Sequence, residues 1–252
     1  MVSGTTAHKA ARQVAAHEPI VLTGPQARFV SRGGDKLDAA LERFGIDVTG
    51  RIVLDAGAST GGFTDCLVQR GARHVYAVDV GHGQIDDRLR HDARVSVLER
   101  VNVRNLTTAA LESVDPAFVP CSLVTADLSF ISLVTVLSAL TGPISTDAAD
   151  YVLLVKPQFE AGRVVVARGK GVVRDPAVWH DVLATVTSAL VGSRTGIMGV
   201  MVSPLTGPAG NVEFLVHARG GTPAVAAVAT TELIDQAVDA AVSRRDTPDG
   251  AR

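Results

Sequence analysis

Four short apolar runs in this chain each close on a charged residue, at Asp55, Asp79, Asp127 and Lys156. The runs are Ile52–Leu54, Val75–Val78, Leu123–Ala126 and Tyr151–Val155, and their β-branched content predicts strands. In an open parallel sheet the carboxyl ends of the strands share one edge, and ligands bind in the crevice beyond it. Asp55, Asp79, Asp127 and Lys156 are therefore expected to face one cleft. A lysine closing an otherwise apolar strand invites desolvation, which disfavours its charged form. The plain alternative is a structural ion pair between Asp127 and Lys156.

The first of these strands runs into Asp55-Ala-Gly-Ala-Ser-Thr-Gly-Gly-Phe-Thr64. Gly57, Gly61 and Gly62 permit a sharp turn and close approach of backbone to a ligand. Ser59 and Phe63 lie within the same loop. The spacing Gly-x-x-x-Gly-Gly is neither the dinucleotide fingerprint nor a phosphate-binding loop, and no lysine is present to hold a triphosphate. Asp79 follows Gly57 by 22 residues, the distance at which an acid commonly accepts ribose hydroxyls, and Val80 comes next. A bound adenosine cofactor is the better reading over a bare β-turn-α unit. S-adenosylmethionine is favoured over NAD, because Asp55 suits a loop around a cationic cofactor. The reductase Tyr-x-x-x-Lys pair is also missing, since Tyr151 and Lys156 are five apart. Asn102, after the third strand, is placed to meet adenine.

Two further residues are weaker on their own. Glu213, in Gly-Asn-Val-Glu-Phe, opens the last strand candidate and would ordinarily be a surface residue. Lys36, in SRGGDKL, would ordinarily be a solvated helix residue. Cys66 and Cys121 fall on a helix and a strand and are expected in the core rather than as nucleophiles. The seven histidines show no ligand spacing, so they are expected on surfaces and loops, and no metal is called for.

The elements that must position these groups alternate. Strand candidates also occur at Val95–Leu98, Ile197–Val202 and Val212–Val216, with helices at Gly62–Gly71, Ser132–Leu140, Pro176–Leu190 and Thr231–Ser243. Strands alternating with helices predict βαβ units and a mostly parallel sheet. The last two strands are joined by SPLTGPAGN with no helix between, which predicts an antiparallel edge. A short strand candidate also lies at Pro19–Thr23, and the stretch near 222–230 is expected to be a linker.

Composition bounds the function. The chain has 252 residues, 46% hydrophobic and 20% charged, enough to bury a core. With 24 basic and 26 acidic residues, any nucleic-acid contact must come from a local basic face. Aromatics at 4% disfavour a single-strand binder built on stacked rings. Two cysteines fit a reducing cytoplasm. No run approaches the roughly 18–20 apolar residues of a membrane span, and the N-terminus lacks a signal-peptide core.

SRGGDKL, LDAGASTGGFTDCL, ADLSFISL, LLVKPQFE, GVVRDP and SPLTGPAGNVEF, in this order, closely resemble the TlyA family of FtsJ-like ribose 2′-O-methyltransferases. The resemblance spans about Val30–Leu215. It implies a Rossmann-like, seven-stranded α/β methyltransferase sheet with an antiparallel last strand and helices on both faces. It implies S-adenosyl-L-methionine as cofactor and a cytidine ribose in ribosomal RNA or ribosomal subunits as substrate. It also implies a tetrad of Lys36, Asp127, Lys156 and Glu213, with Asp127 also near the cofactor. It further implies residues 28–246 as the methyltransferase domain and 1–27 as the remnant of an S4-like RNA-binding domain, while residues 247–252 are expected to be a disordered tail.

A ribose 2′-hydroxyl is a poor nucleophile, so methyl transfer needs alignment and removal of a proton. Lys156 is the expected proton acceptor, with Asp127 and Glu213 orienting the ammonium groups. Expected RNA contacts are Arg32, Arg163, Arg168, Lys170 and Arg174, with a third basic group at Arg88, Arg90, Arg94, Arg100 and Arg104. Phe130 or Phe159 could stack on a flipped nucleotide. Rival readings are an NAD-linked oxidoreductase, against the glycine spacing, and a haemolysin-like membrane-active protein, against the absence of a span.

Overall fold

The computed structural model describes residues 1–7, 12–21, 27–222 and 227–246. Its centre is one sheet of seven strands: β1 (Ile52–Ala56), β2 (His74–Val78), β3 (Val95–Leu98), β4 (Cys121–Ala126), β5 (Ser145–Val155), β6 (Thr195–Val202) and β7 (Phe214–Gly220). The spatial order is β3-β2-β1-β4-β5-β7-β6. The pairs from β3 across to β5 are parallel, and β7 runs antiparallel to both β5 and β6. The expected antiparallel last strand is thus present, inserted between β5 and the edge strand β6.

Helices cover both faces, which is why the strands read as nearly continuous apolar runs. α1 (Gly33–Phe44), α2 (Gly62–Gln69) and α3 (Asp87–Arg90) lie on one face. Their Leu37, Leu41, Phe63, Leu67 and Leu89 pack with Val53, Val75, Val152 and Leu154 of the strands. α4 (Thr108–Glu112), α5 (Leu133–Leu140), α8 (Pro176–Gly192) and α9 (Ala227–Asp246) lie on the other. There Leu111, Leu137, Trp179, Leu183 and Ile234 pack with Leu54, Tyr76, Val124 and Leu153. Successive strand residues go to opposite cores, as the two-residue period of a strand requires. Trp179 is fully buried, donates Nε1–H to the Val173 carbonyl at 3.1 Å and meets Phe214 edge-on.

The short helices α3, α4, α6 (Pro157–Glu160) and α7 (Arg163–Arg168) have too few turns for a periodic signal to mark them in the sequence. α9 is longer at both ends than the expected Thr231–Ser243. β5 begins six residues before the expected Tyr151, because its early residues, with Asp147 and Ala148 exposed and Thr146 half-buried, lack an apolar pattern. Of the Pro19–Thr23 strand candidate, Ile20 makes an isolated antiparallel bridge to Val2, while Leu22 and Thr23 lie outside the described residues. The expected tail at 247–252 also lies outside them, as do residues 223–226 of the linker candidate, while residues 227–230 of that candidate are the start of α9 rather than linker.

One histidine departs from expectation. His217 on β7 is 7% exposed, stacks near Phe44, and lies 2.9 Å from Asp150 Oδ1. Arg51 donates to the other oxygen of Asp150 at 2.7 Å. These partners hold the Asp150 carboxyl below its usual range despite burial. The cluster ties β5 to β7 and to the start of β1.

Candidate active site

The chain runs from β1 outward through β2 to β3, then crosses back to lay β4 on the other side of β1. This reversal opens a crevice between the β1 and β4 carboxyl ends. Two loops flank it, one after β1 and one after β4. Gly57 sits in the first with φ +86°, and a Cβ there would come 2.6 Å from the Asp127 carbonyl in the second. Only glycine lets the two loops close to this distance.

A cavity of about 490 Å³ lies in the crevice, lined by Gly57, Ser59, Asp79, Val80, Asn102 and Asp127 among others. All six belong to the expected cofactor set. Asp79 Oδ2 accepts the Ser59 N–H at 2.8 Å, and Oδ1 accepts the Gly81 N–H at 2.6 Å. A carboxylate has about four acceptor sites, so two remain for ribose hydroxyls. Asn102 Oδ1 accepts from the Arg104 N–H, leaving its amide N–H groups to face a ligand. Val101, Val103, Leu128, Ile131 and Val136 give the rest of the wall an apolar surface suited to a purine ring. Gln84 also lines the cavity and was not singled out by sequence; a lone glutamine in a turn carries no pattern.

A second cavity, of about 290 Å³, adjoins the first and contains all four expected tetrad residues. Lys36 Nζ donates to Glu213 Oε2 at 2.6 Å. Both side chains are buried, at 8% and 2% exposure, so the ordinary surface reading of each is corrected. Lys156 Nζ lies 2.6 Å from Asp127 Oδ1. Lys156 also donates to Ser129 Oγ at 2.9 Å. The two cavities share Gly57, Ser59, Asp127 and Ser129, so the tetrad abuts the cofactor space.

Distant segments reach this point through close packing. A Cβ on Gly62 would come 2.2 Å from Ser31 Oγ and 3.2 Å from Gly33 Cα. The glycines of SRGGDKL and of the loop therefore dock the start of α1 against the start of α2, and Lys36 lies on the first turn. The segment that leads into Glu213 is anchored two residues earlier by Asn211, whose Oδ1 accepts the Val173 N–H at 2.9 Å and whose amide donates to the Gly171 carbonyl at 3.0 Å.

Four expected cofactor residues do not line the cofactor cavity. Asp55 is fully buried behind the loop, accepting from Thr64 Oγ1 at 2.6 Å and Thr125 Oγ1 at 3.3 Å. Burial and, secondarily, the charge of Asp127 push its carboxyl up to about 7, against its hydroxyl partners. It braces the loop and does not face the cleft. Gly61 packs on Leu89 and Ile85, while Gly62 and Phe63 line the second cavity instead. Both cysteines are buried in the core, and burial pushes each thiol up to about 12, which disfavours the thiolate.

The basic groups separate. Arg88, Arg90 and Arg94 pair with Asp86, Glu99 and Asp92, and Arg28 pairs with Asp38. Among the described residues no ion pair holds Arg32, Arg163, Arg168, Lys170 or Arg174. Arg32 lines the tetrad cavity. Arg163 lines a further hollow with Phe130, Gln158 and Phe159. Phe130 is 91% exposed and lies 5.2 Å from the Phe159 ring.

A mostly parallel seven-stranded sheet with β7 turned antiparallel, and a glycine loop at the switch point, define a Rossmann-like methyltransferase. The FtsJ-like methyltransferase model matches residues 29–220, and the chain belongs to that family. It is 51% identical over 202 residues to the 16S/23S rRNA (cytidine-2′-O)-methyltransferase TlyA of Mycobacterium tuberculosis, covering 80% of this chain and 72% of that one. A Streptococcus thermophilus structure named as a hemolysin superposes at TM-score 0.79 with 40% identity, covering 89% of this chain and 80% of that one. A Listeria monocytogenes structure described as an S-adenosylmethionine dependent methyltransferase shares the fold at TM-score 0.54 with 13% identity, covering 76% of this chain and all of that one. No described helix is long and apolar enough to cross a membrane. S-adenosylmethionine is the methyl donor, and the Asp79 carboxylate, the Asn102 amide and the apolar walls fit its adenosine half.

Proposed function

We propose that this chain methylates the ribose 2′-hydroxyl of a cytidine in ribosomal RNA, acting on ribosomal subunits in the cytoplasm. The observation that carries the reading is the meeting of Lys36, Asp127, Lys156 and Glu213 in one cavity that shares a wall with the cofactor space. Bound S-adenosylmethionine supplies the methyl group, whose bond to sulfur breaks as its bond to the ribose oxygen forms. Lys156, as a neutral amine, takes the hydroxyl proton. Asp127, 2.6 Å away, stabilises the ammonium that results. The buried Lys36–Glu213 pair holds the floor of the cavity rigid and orients the acceptor.

Arg32, Arg163, Arg168, Lys170 and Arg174 grip phosphates around the cleft, and Phe130 and Phe159 offer faces on which an unstacked base can lie. Residues 28–246 carry the chemistry in this reading, and residues 1–27 serve RNA recruitment.

The test is transfer of labelled methyl to unmodified ribosomal subunits, read by nuclease digestion and mass spectrometry. Wild type should yield 2′-O-methylcytidine. Lys156→Ala should lose roughly 100-fold or more of the rate, as expected for removal of a general base, while still binding the cofactor. A methyl group on a base, or a variant as fast as wild type, would refute the reading.

A further inference from the structure

Lys156 has two polar neighbours, and they do different things. Asp127 Oδ1 is the nearer at 2.6 Å, yet it accepts no aligned hydrogen bond. The aligned bond from Nζ goes to Ser129 Oγ at 2.9 Å. Asp127 therefore supplies charge, which acts in every direction, and Ser129 supplies direction.

Direction matters for this amine. A neutral lysine nitrogen has three substituents besides its lone pair, and it rotates freely about Cε–Nζ unless one N–H is held. A held N–H fixes that rotation and so fixes the lone pair. Ser129 lines both cavities and stands at their junction, where the acceptor oxygen must meet the methyl group.

The serine is itself held. The next residue, Phe130, sits at φ +65°, a left-handed conformation that bulky residues rarely adopt. Three residues further on, Glu160 clamps the same loop: its Oε2 accepts from Ser132 Oγ at 2.5 Å and its Oε1 from the Leu133 N–H at 2.7 Å. Glu160 ends the helical turn that Lys156 precedes. The β4 and β5 loops are thus joined at two points, Ser129 to Lys156 and Glu160 to Ser132–Leu133. Strain of this kind persists where surrounding contacts over-determine it.

We infer that Ser129 is a positioning residue for methyl transfer, aiming the Lys156 amine at the junction of the two cavities. The inference rests on the reading of Lys156 as proton acceptor. Ser129 is exposed, so its hydroxyl can be removed without cost to the core.

The experiment compares Ser129→Ala and Ser129→Thr with wild type in the full chain. It measures kcat and KM for ribosomal subunits and the Kd of S-adenosylmethionine by calorimetry. Ser129→Ala should lower kcat by roughly tenfold, the scale of one directional hydrogen bond, with KM and Kd unchanged. Ser129→Thr, which keeps the hydroxyl, should recover most of that loss. An unchanged kcat in Ser129→Ala overturns the inference. So does a loss carried in KM or Kd, or a threonine variant no better than alanine. If wild type forms 2′-O-methylcytidine and Ser129→Ala is indifferent, the role of Ser129 alone fails. If wild type places no methyl on a 2′-oxygen, the parent reading fails and Ser129 with it.

Discussion

Asp55 shows how far a residue's type and its depth can diverge. Its place at a strand end marks it as a ligand contact, but its neighbours across the sheet are Ala77 and Thr125, and no part of it meets water. Burial raises its carboxyl to about 7 from an ordinary value of 3.8. Between those values the folded chain keeps a proton that the unfolded chain releases. Stability therefore falls as pH rises through that window, by linkage. Thermal unfolding of Asp55→Asn against wild type from pH 4 to 8 should show the wild-type advantage shrinking up to about pH 7 and then levelling. A difference that stays constant with pH would mean that Asp55 does not carry the proton. His217 makes the same point from the other side: nothing in the local sequence marks it as buried, because its partner Asp150 lies 67 residues away.

Among the elements, the loops after β1 and β4 do most to shape the site. Their approach at Gly57 is fixed by backbone against backbone, so no side-chain rotation can relieve an added methyl group. Gly57→Ala should fold, since the sheet and both cores are untouched. It should weaken S-adenosylmethionine binding by roughly tenfold or more, the equivalent of about 1.4 kcal/mol, through strain at positive φ and displacement of the Asp127 backbone. Calorimetric titration checks this, and an unchanged Kd would show that the loops part without consequence. The glycine spacing was readable because a backbone requirement acts on a few adjacent residues. α6 and α7 were not readable, because four- and six-residue helices hold at most two turns and derive their order from neighbours.

Across the whole molecule the balance of 24 basic against 26 acidic residues hides a local asymmetry. Arg88 and Arg90 are engaged by acids of their own surface, while Arg163, which lines a hollow with Phe130 and Phe159, and Arg168, at the end of the same helix, have no such partners among the described residues. Arg163→Ala with Arg168→Ala should reduce the slope of log K against log salt for ribosomal RNA by about 1.4–1.8, near 0.7–0.9 per phosphate contact, with cofactor affinity unchanged. Arg88→Ala with Arg90→Ala should leave the slope near that of wild type. Filter binding over a salt series measures both, and equal slopes for the two pairs would remove Arg163 and Arg168 from the RNA surface.

The sequence by itself determined what local rules decide. β-branched runs specified the strands, the two-residue alternation supplied both cores, and the missing helix between the last two strands produced the antiparallel β7. The glycine loop, Asp79, Asp127 and Lys156 were legible because a parallel sheet sends every strand end to one edge. Lys36 and Glu213 were different. Alone, each looked like a solvated charge, and only their resemblance to a known pattern marked them. The tertiary structure decided that they meet at 2.6 Å across 177 residues of sequence and are buried together. It also decided that Asp55 lies behind the cleft, that the aligned hydrogen bond of Lys156 goes to Ser129 and not to Asp127, and which arginines lack an ion pair among the described residues. The physical reason is common to all of these. Burial, pairing and direction are properties of neighbours in space, and those neighbours are set only when the sheet order brings separate loops to one edge.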